Sequence, residues 1–396
     1  MIGIDTKPVW NAHYEKGKLV QSITPFDDLP YEEKASWYSN ICSEEEIVRM
    51  LDMRNGDDYL LRLKADTIID NMRLYRVVLK KAQMARFSGC PWSLEQYFQP
   101  YGYKEYINSL QQELKEKVSN ISYSNILSND LNGFIFESPF GICTTLSYAI
   151  NDFIKYSALA LLNFEDEVPD SVRLASLRIA VRTMLGKEAL DFELDPRGII
   201  PDNIDEMINH PISYICTFVG GHEISHYLNG DIKKGNTKLM SLNKVHFKDD
   251  EDYRKIYVYN TSQKHEFAAD LGALRFPVMT QEKYALYYNY TLLWFSMLAI
   301  YEAVEDYMTP PIGYQSHPGA KARYKNIIEN AEKPYYFAEY EKYYLEDLPK
   351  VVDFWSDVLK DDVSEHFEYY EMYGSVYLAA PNTKWRGREL VDRKDY

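Results

Sequence analysis

PISYICTFVGGHEISHYLNGD, residues 211–231, is the stretch on which the reading of this chain turns. Pro211 suits the first turn of a helix, where its missing N–H costs little. Ile212, Ile215, Val219, His222, His226 and Asn229 then recur at helical spacing. Asn229-Gly230-Asp231 is a stop signal. The pattern predicts a helix of about five turns with both histidines near its C-terminal end. Residues four apart share one helical face, so two imidazoles there can grip a single metal ion. Glu223 sits beside them, where a base is useful. HExxH on a helix is the pattern of zinc-dependent hydrolysis, above all of peptide bonds. Gly220 and Gly221 are poor helix formers. They mark either close helix packing or the approach of another backbone just before the metal site.

A catalytic zinc commonly takes two histidines and one carboxylate, leaving one position for water. Glu266 is the candidate third ligand, in HEFAADLGAL at 265–274. Read as a helix, Glu266, Ala269, Asp270 and Ala273 form one stripe of two carboxylates and two small residues. Small residues let this helix lie close to the first, which a shared metal requires. Phe267, Leu271 and Leu274 form the opposite, core-facing stripe. Asp270, one turn beyond Glu266, is placed to accept the free ring N–H of a ligating histidine. Downstream, SHPGAKAR at 316–323 begins another predicted helix. His317, just before a proline, is held rigidly. An imidazole or guanidinium near a zinc can stabilise the oxyanion that develops on a cleaved carbonyl.

These three pieces together, HExxH, then ExxxD, then Ser-His-Pro with Arg323 six residues after His317, resemble the gluzincin metallopeptidases. The pattern is most similar to the CAAX prenyl endopeptidases and the HtpX-like peptidases, and more loosely to the soluble Lit-like peptidases. The resemblance spans Pro211 to Arg323. It implies a zincin-like domain in which His222, His226 and Glu266 bind zinc, Glu223 is the catalytic base and Asp270 orients a ligand histidine. His317 and Arg323 would act at the catalytic site or buttress it. Two features depart from the pattern. The prenyl endopeptidases and HtpX-like enzymes are membrane proteins, and a second proline common after the His-Pro pair is Gly319 here.

The membrane question turns on residues 284–308. Ala285 to Val304 is strongly apolar and aromatic, but Asn289, Thr291, Ser296 and Glu302 interrupt it. The clean apolar run is about 11 residues, against the roughly 20 that a spanning helix needs. A core helix packed behind the metal site is therefore expected. The first eight residues hold no basic region followed by an apolar one, which argues against a secretory signal. A net charge of −16 disfavours nucleic acid and anionic membranes as partners. Cys42, Cys90, Cys143 and Cys216 are scattered without a CxxC pair, so free, buried thiols and a cytoplasmic location are expected. The 35 tyrosines are spread along the chain and read as compositional bias; Tyr227, beside His226, reads as a packing residue.

The expected fold class is mainly α (α+β). An N-terminal helical region, 1–130, has helices over Tyr31–Arg54, Tyr59–Phe87 and Lys104–Ser119, with Ser119–Asn132 as a polar linker. A metallopeptidase domain spans 131–335, with a helix over Val172–Leu185. Within it, Leu239–Phe247 and Tyr253–Tyr259 alternate like the strands of a β-hairpin around an acidic turn. That hairpin is a candidate wall of a substrate groove; His246 on it, like His13, His210, His265 and His366, reads as structural. A helical C-terminal extension spans 336–396 and ends in a basic tail. No P-loop, dinucleotide glycine fingerprint or GxSxG motif is present.

The functional expectation is a zinc endopeptidase acting on a protein or peptide substrate. Two alternatives remain at this level: a zinc amide hydrolase on a small non-protein substrate, and a non-enzymatic sensor or interaction protein with a structural metal site. A deep, narrow pocket favours the first alternative and a fourth protein ligand the second. Glu223 weighs against a purely structural site, which has no need for an acid there.

Overall fold

Pro201, not Pro211, opens the helix that carries the HExxH stretch. The structure, a computed structural model, describes residues 29–127, 133–232, 262–310, 318–380 and 383–386, together with the backbone of strands at 9–15, 18–24, 237–241 and 255–259. It is mainly helical with a small β element, the class expected from the sequence.

The first strands, β1 (Val9–Glu15) and β2 (Lys18–Thr24), form a separate antiparallel pair. A helical run follows: α1 (Tyr31–Tyr38), α2 (Glu44–Leu51), α3 (Gly56–Asp70), α4 (Met72–Phe87), α5 (Leu94–Tyr97), α6 (Tyr101–Ser109) and α7 (Gln112–Val118). The sequence predicts fewer, longer helices here, and capping chemistry explains the breaks. Ser43 and Glu46 form a reciprocal capping box that starts α2. Asn71 ends α3 and caps α4, its side-chain oxygen accepting from the Leu74 N–H at 3.0 Å.

Three strands then appear where the sequence reads as linker and apolar run: β3 (Ser122–Ile126), β4 (Gly133–Ser138) and β5 (Gly141–Ser147). β4 and β5 form a tight hairpin, with Gly141 at φ +116°, a backbone region that favours glycine. After α8 (Ala149–Leu161), α9 (Asp170–Met184) and α10 (Asp202–Leu228) come β6 (Thr237–Ser241) and β7 (Lys255–Tyr259). These pair antiparallel, as the hairpin reading expects, over a shorter span. The acidic turn and His246 lie outside the described residues. The sheet order is β3-β5-β4-β7-β6, so this hairpin extends a five-stranded sheet instead of standing alone.

The remaining helices are α11 (Gln263–Arg275), α12 (Gln281–Met308), α13 (Ala320–Asn330) and α14 (Phe337–Lys342). A π turn at Tyr343–Asp347 then leads into α15 (Leu348–Glu365) and α16 (Phe367–Glu371). α12 is the predicted core helix: Leu292 to Ile300 are all buried, and no described helix is long and apolar enough to cross a membrane. Its rings pack edge-on against neighbours, Trp294 on Phe153 and Phe295 on Phe218. The largest core gathers α8, α9, α10 and α12, and a second one lies among α1 to α5. Of the four free cysteines three are buried as expected, while Cys90 is exposed because it follows the end of α4.

α10 runs through Pro211 without ending. The ring removes one ladder hydrogen bond, a cost of about 3 kcal/mol in a helix interior. Burial offsets it: Ile204, Ile208, Pro211 and Ile215 continue one buried face across the proline. α10 therefore crosses the centre of the molecule and delivers the HExxH residues to its middle, all of them buried.

Candidate metal centre

Two close approaches fix the second half of α10. α6 lays its tyrosines on the glycine pair: a methyl group at Gly221 would meet Tyr106 Cε2 at 2.3 Å, and one at Gly220 would meet Tyr103 Cδ1 at 3.0 Å. The glycines thus serve helix packing, one of the two readings open from sequence. α11 approaches across small residues. Ala269 and Ala273 are fully buried, and a methyl group at Gly272 would lie 3.0 Å from Ser225 Cβ. Ser262 starts α11 with a capping box, so Glu266 falls in its first turn, facing α10.

The result is a three-donor cluster. His222 Nε2 and His226 Nε2 are 3.1 Å apart. Glu266 reaches both, with Oε2 at 3.3 Å from His222 Nε2 and Oε1 at 3.5 Å from His226 Nε2. A tetrahedral ion with ligands at about 2.05 Å spaces those ligands roughly 3.3 Å apart. The observed separations are of that size, with the two carboxylate contacts made by different oxygens of Glu266, and the three residues could hold a metal ion. Among the described residues the group contains these three side chains and no fourth.

Each imidazole is turned by a carboxylate behind it. His222 Nδ1 lies 2.8 Å from Asp270 Oδ1, the pairing expected from the ExxxD spacing. His226 Nδ1 lies 3.1 Å from Asp231 Oδ2. These contacts leave both Nε2 atoms aimed at the shared centre, as in metal sites generally. Burial pushes both imidazoles towards the neutral form, but the carboxylates outweigh it. Asp270 and Glu266 hold His222 above its usual range, and Asp231 and Glu266 hold His226 up at about 10. A metal entering at neutral pH would therefore compete with the proton held by His226.

Arg323, on α13, stands behind this arrangement. Its Nε donates to Asp270 Oδ2 at 2.8 Å, and its guanidinium lies over the Phe295 ring at 4.9 Å. Burial opposes the Asp270 charge, yet Arg323 and His222 hold that carboxyl below its ordinary value. Arg323 touches the Nδ1 side of His222, away from the donor triangle. The start of α13 is itself anchored, since Glu302 on α12 accepts the Ala320 N–H at 2.7 Å. His317 lies outside the described residues.

Glu223 is buried one residue after the first histidine, and its side chain rests against β4 at Gly133. Tyr227 is half-buried and packs on the core, as its helical angle predicts. Sequence reading missed Asp231 and Glu302. Asp231 was visible as part of the stop signal, five residues after His226, close enough to fold back on the ring. Glu302 gave no signal, because its partner is a backbone N–H from a different helix. No known protein family, curated protein or solved structure matches this chain.

Proposed function

We propose that this chain is a zinc-dependent endopeptidase. The observation that supports it most is the donor cluster, with the two Nε2 atoms 3.1 Å apart, one Glu266 oxygen 3.3 Å from His222 and the other 3.5 Å from His226, and each imidazole backed by a carboxylate. Glu223 stands next to it on the same helix. His222, His226 and Glu266 would hold the ion, which when bound supplies Lewis acidity and brings the pKa of water towards about 7. Glu223 takes the proton of the attacking water and passes it to the leaving amine. Asp270 and Asp231 keep the two imidazoles in the tautomer that presents Nε2. Arg323 keeps Asp270 ionised. The substrate in this reading is a cytoplasmic protein, and the free cysteines fit a reducing compartment.

One observation favours a second reading, a small amide substrate. His222, Glu223, His226 and Glu266 are only 2–7% exposed, a narrow approach for a polypeptide. The same experiment separates the two. Metal content is measured for wild type, Glu223→Gln and His226→Ala, and each is incubated with a proteome-derived peptide library and with a panel of small N-acyl amides. Glu223→Gln is expected to keep one zinc per chain and lose turnover; His226→Ala is expected to lose both. Peptide cleavage supports the endopeptidase, amide cleavage alone supports the second reading, and full turnover by Glu223→Gln removes both.

A further inference from the structure

Among the described glycines, Gly133, the first residue of β4, is the one whose added methyl would crowd Glu223. In the antiparallel register Gly133 faces Leu146 and Ile135 faces Thr144. Thr144 points to the α6 side, where its hydroxyl lies 2.8 Å from Tyr103 Oη. Gly133 therefore lies on the sheet face turned towards α6 and α10. A methyl group built on it would lie 3.0 Å from Glu223 Cγ and 3.3 Å from Glu223 Oε1. The same methyl would meet the Thr145 carbonyl oxygen at 3.3 Å, so it has no sideways escape. Gly133 is not among the glycines with positive φ, so backbone conformation does not demand glycine here. What the absent side chain provides is room for the acid.

We propose that Gly133 is a positioning residue for Glu223: the bare backbone of β4 is the seat that fixes where the carboxylate points. This rests on the metal-centre reading, since the carboxylate matters only in relation to what the three donors hold. With alanine at this position, Glu223 Cγ and Oε1 must give by a few tenths of an ångström, because backbone borders the methyl on its other side. The ligands stand on α10 and α11 and do not touch Gly133, so metal uptake is unaffected while the base is misplaced.

The test needs a readout of Glu223 that does not depend on knowing the substrate. Acetohydroxamate binds a protein-held metal through both oxygens, and an adjacent carboxylate accepts its proton. Its dissociation constant is read from the visible spectrum of cobalt-loaded protein, for wild type, Gly133→Ala, Glu223→Ala and the double variant. A hydrogen bond to a charged group contributes about 1.5–3 kcal/mol, so Glu223→Ala should weaken the probe by roughly 10- to 100-fold. Gly133→Ala should take up one cobalt as wild type does and weaken the probe by about tenfold or more. In the Glu223→Ala background the glycine change should have no further effect. Unchanged affinity in Gly133→Ala overturns the proposal, as does loss of cobalt from it or an equal effect in both backgrounds. Should Gly133→Ala fail to fold, the double variant must fold, because its contact with the acid is gone and only the 3.3 Å approach to the Thr145 carbonyl remains; failure of both overturns the proposal. Wild type that takes up no cobalt removes the metal-centre reading and this inference with it, a result distinct from all of these.

Discussion

Arg323→Met separates a residue that supports the centre from one that acts on substrate. Asp270 is fully buried and Arg323 half-buried, with side-chain exposures of 0% and 14%. Methionine keeps the apolar contact with Phe295 but removes the charge from Asp270. Breaking a buried pair by deleting one partner costs about 3–5 kcal/mol, because the other charge is left without compensation. The same cost is expected for Asp270→Asn, which strands the guanidinium. Making both changes leaves two neutral side chains of nearly native shape, and the Asn oxygen can still accept from His222. The double variant should therefore lose roughly 3 kcal/mol less than the sum of the singles. Urea unfolding of the four proteins, stripped of metal, measures this coupling. Zinc competition on the same set should show a loss of about 10- to 100-fold for Asp270→Asn, since it weakens the hold on the ligand ring. Single-variant losses that simply add, within about 0.5 kcal/mol, would refute the argument. So would a zinc-replete Arg323→Met enzyme whose kcat alone falls about a thousandfold, the signature of a lost oxyanion donor.

Two other sites make separate expectations. Lys64 on α3 is 1% exposed, and its ammonium donates to the Phe98 carbonyl at 3.1 Å. Burial lowers it to about 8, below its unfolded value of about 10.5. Stability therefore rises as pH climbs from about 8 to 10.5 and is lost as pH falls through 8, by about 3 kcal/mol in all. Lys64→Met should stabilise by about 2 kcal/mol at pH 7, after the lost hydrogen bond is counted, and by close to nothing at pH 10. Equal effects at the two pH values in urea melts would contradict the assignment. On α10, Gly221→Ala should destabilise by about 1–3 kcal/mol, because the methyl would meet the buried Tyr106 ring at 2.3 Å. Gly220→Ala, with its nearest contact at 3.0 Å, should be close to neutral, since the gain of about 1 kcal/mol in helix propensity offsets milder crowding. The reverse order in urea midpoints would show that α6 does not press on α10 as described.

The parts of this protein that could be read from sequence are those where one helix supplies its own geometry. His222 and His226 at four-residue spacing, and Glu266 and Asp270 at the same spacing, needed only the 3.6-residue period, and the structure brings all four together. The small residues Ala269 and Ala273 announced that α11 would lie close to its partner, and it does. The β3–β5 strands were hidden for a different reason. β5 is buried from Cys143 to Ser147 on both faces, so its side chains show no polar alternation and read only as part of an apolar run. The start of α10 was misplaced because a proline rule that holds for isolated helices was applied to a helix whose stability comes from packing on both sides of Pro211. Arg323 is legible only through the family resemblance and Asp231 only as part of a stop signal, because each acts on the side of an imidazole turned away from the donors, from a separate helix or a helix end, and no local period relates them to their histidine. Of the two carboxylates that hold ligand rings, Asp270 shares a helical period with a donor, whereas Asp231 is placed by the turn of the chain beyond α10. A sequence therefore shows where donors line up on a helix well before it shows what keeps those donors aimed, and it is in the aiming residues that this chain can be tested without knowing its substrate.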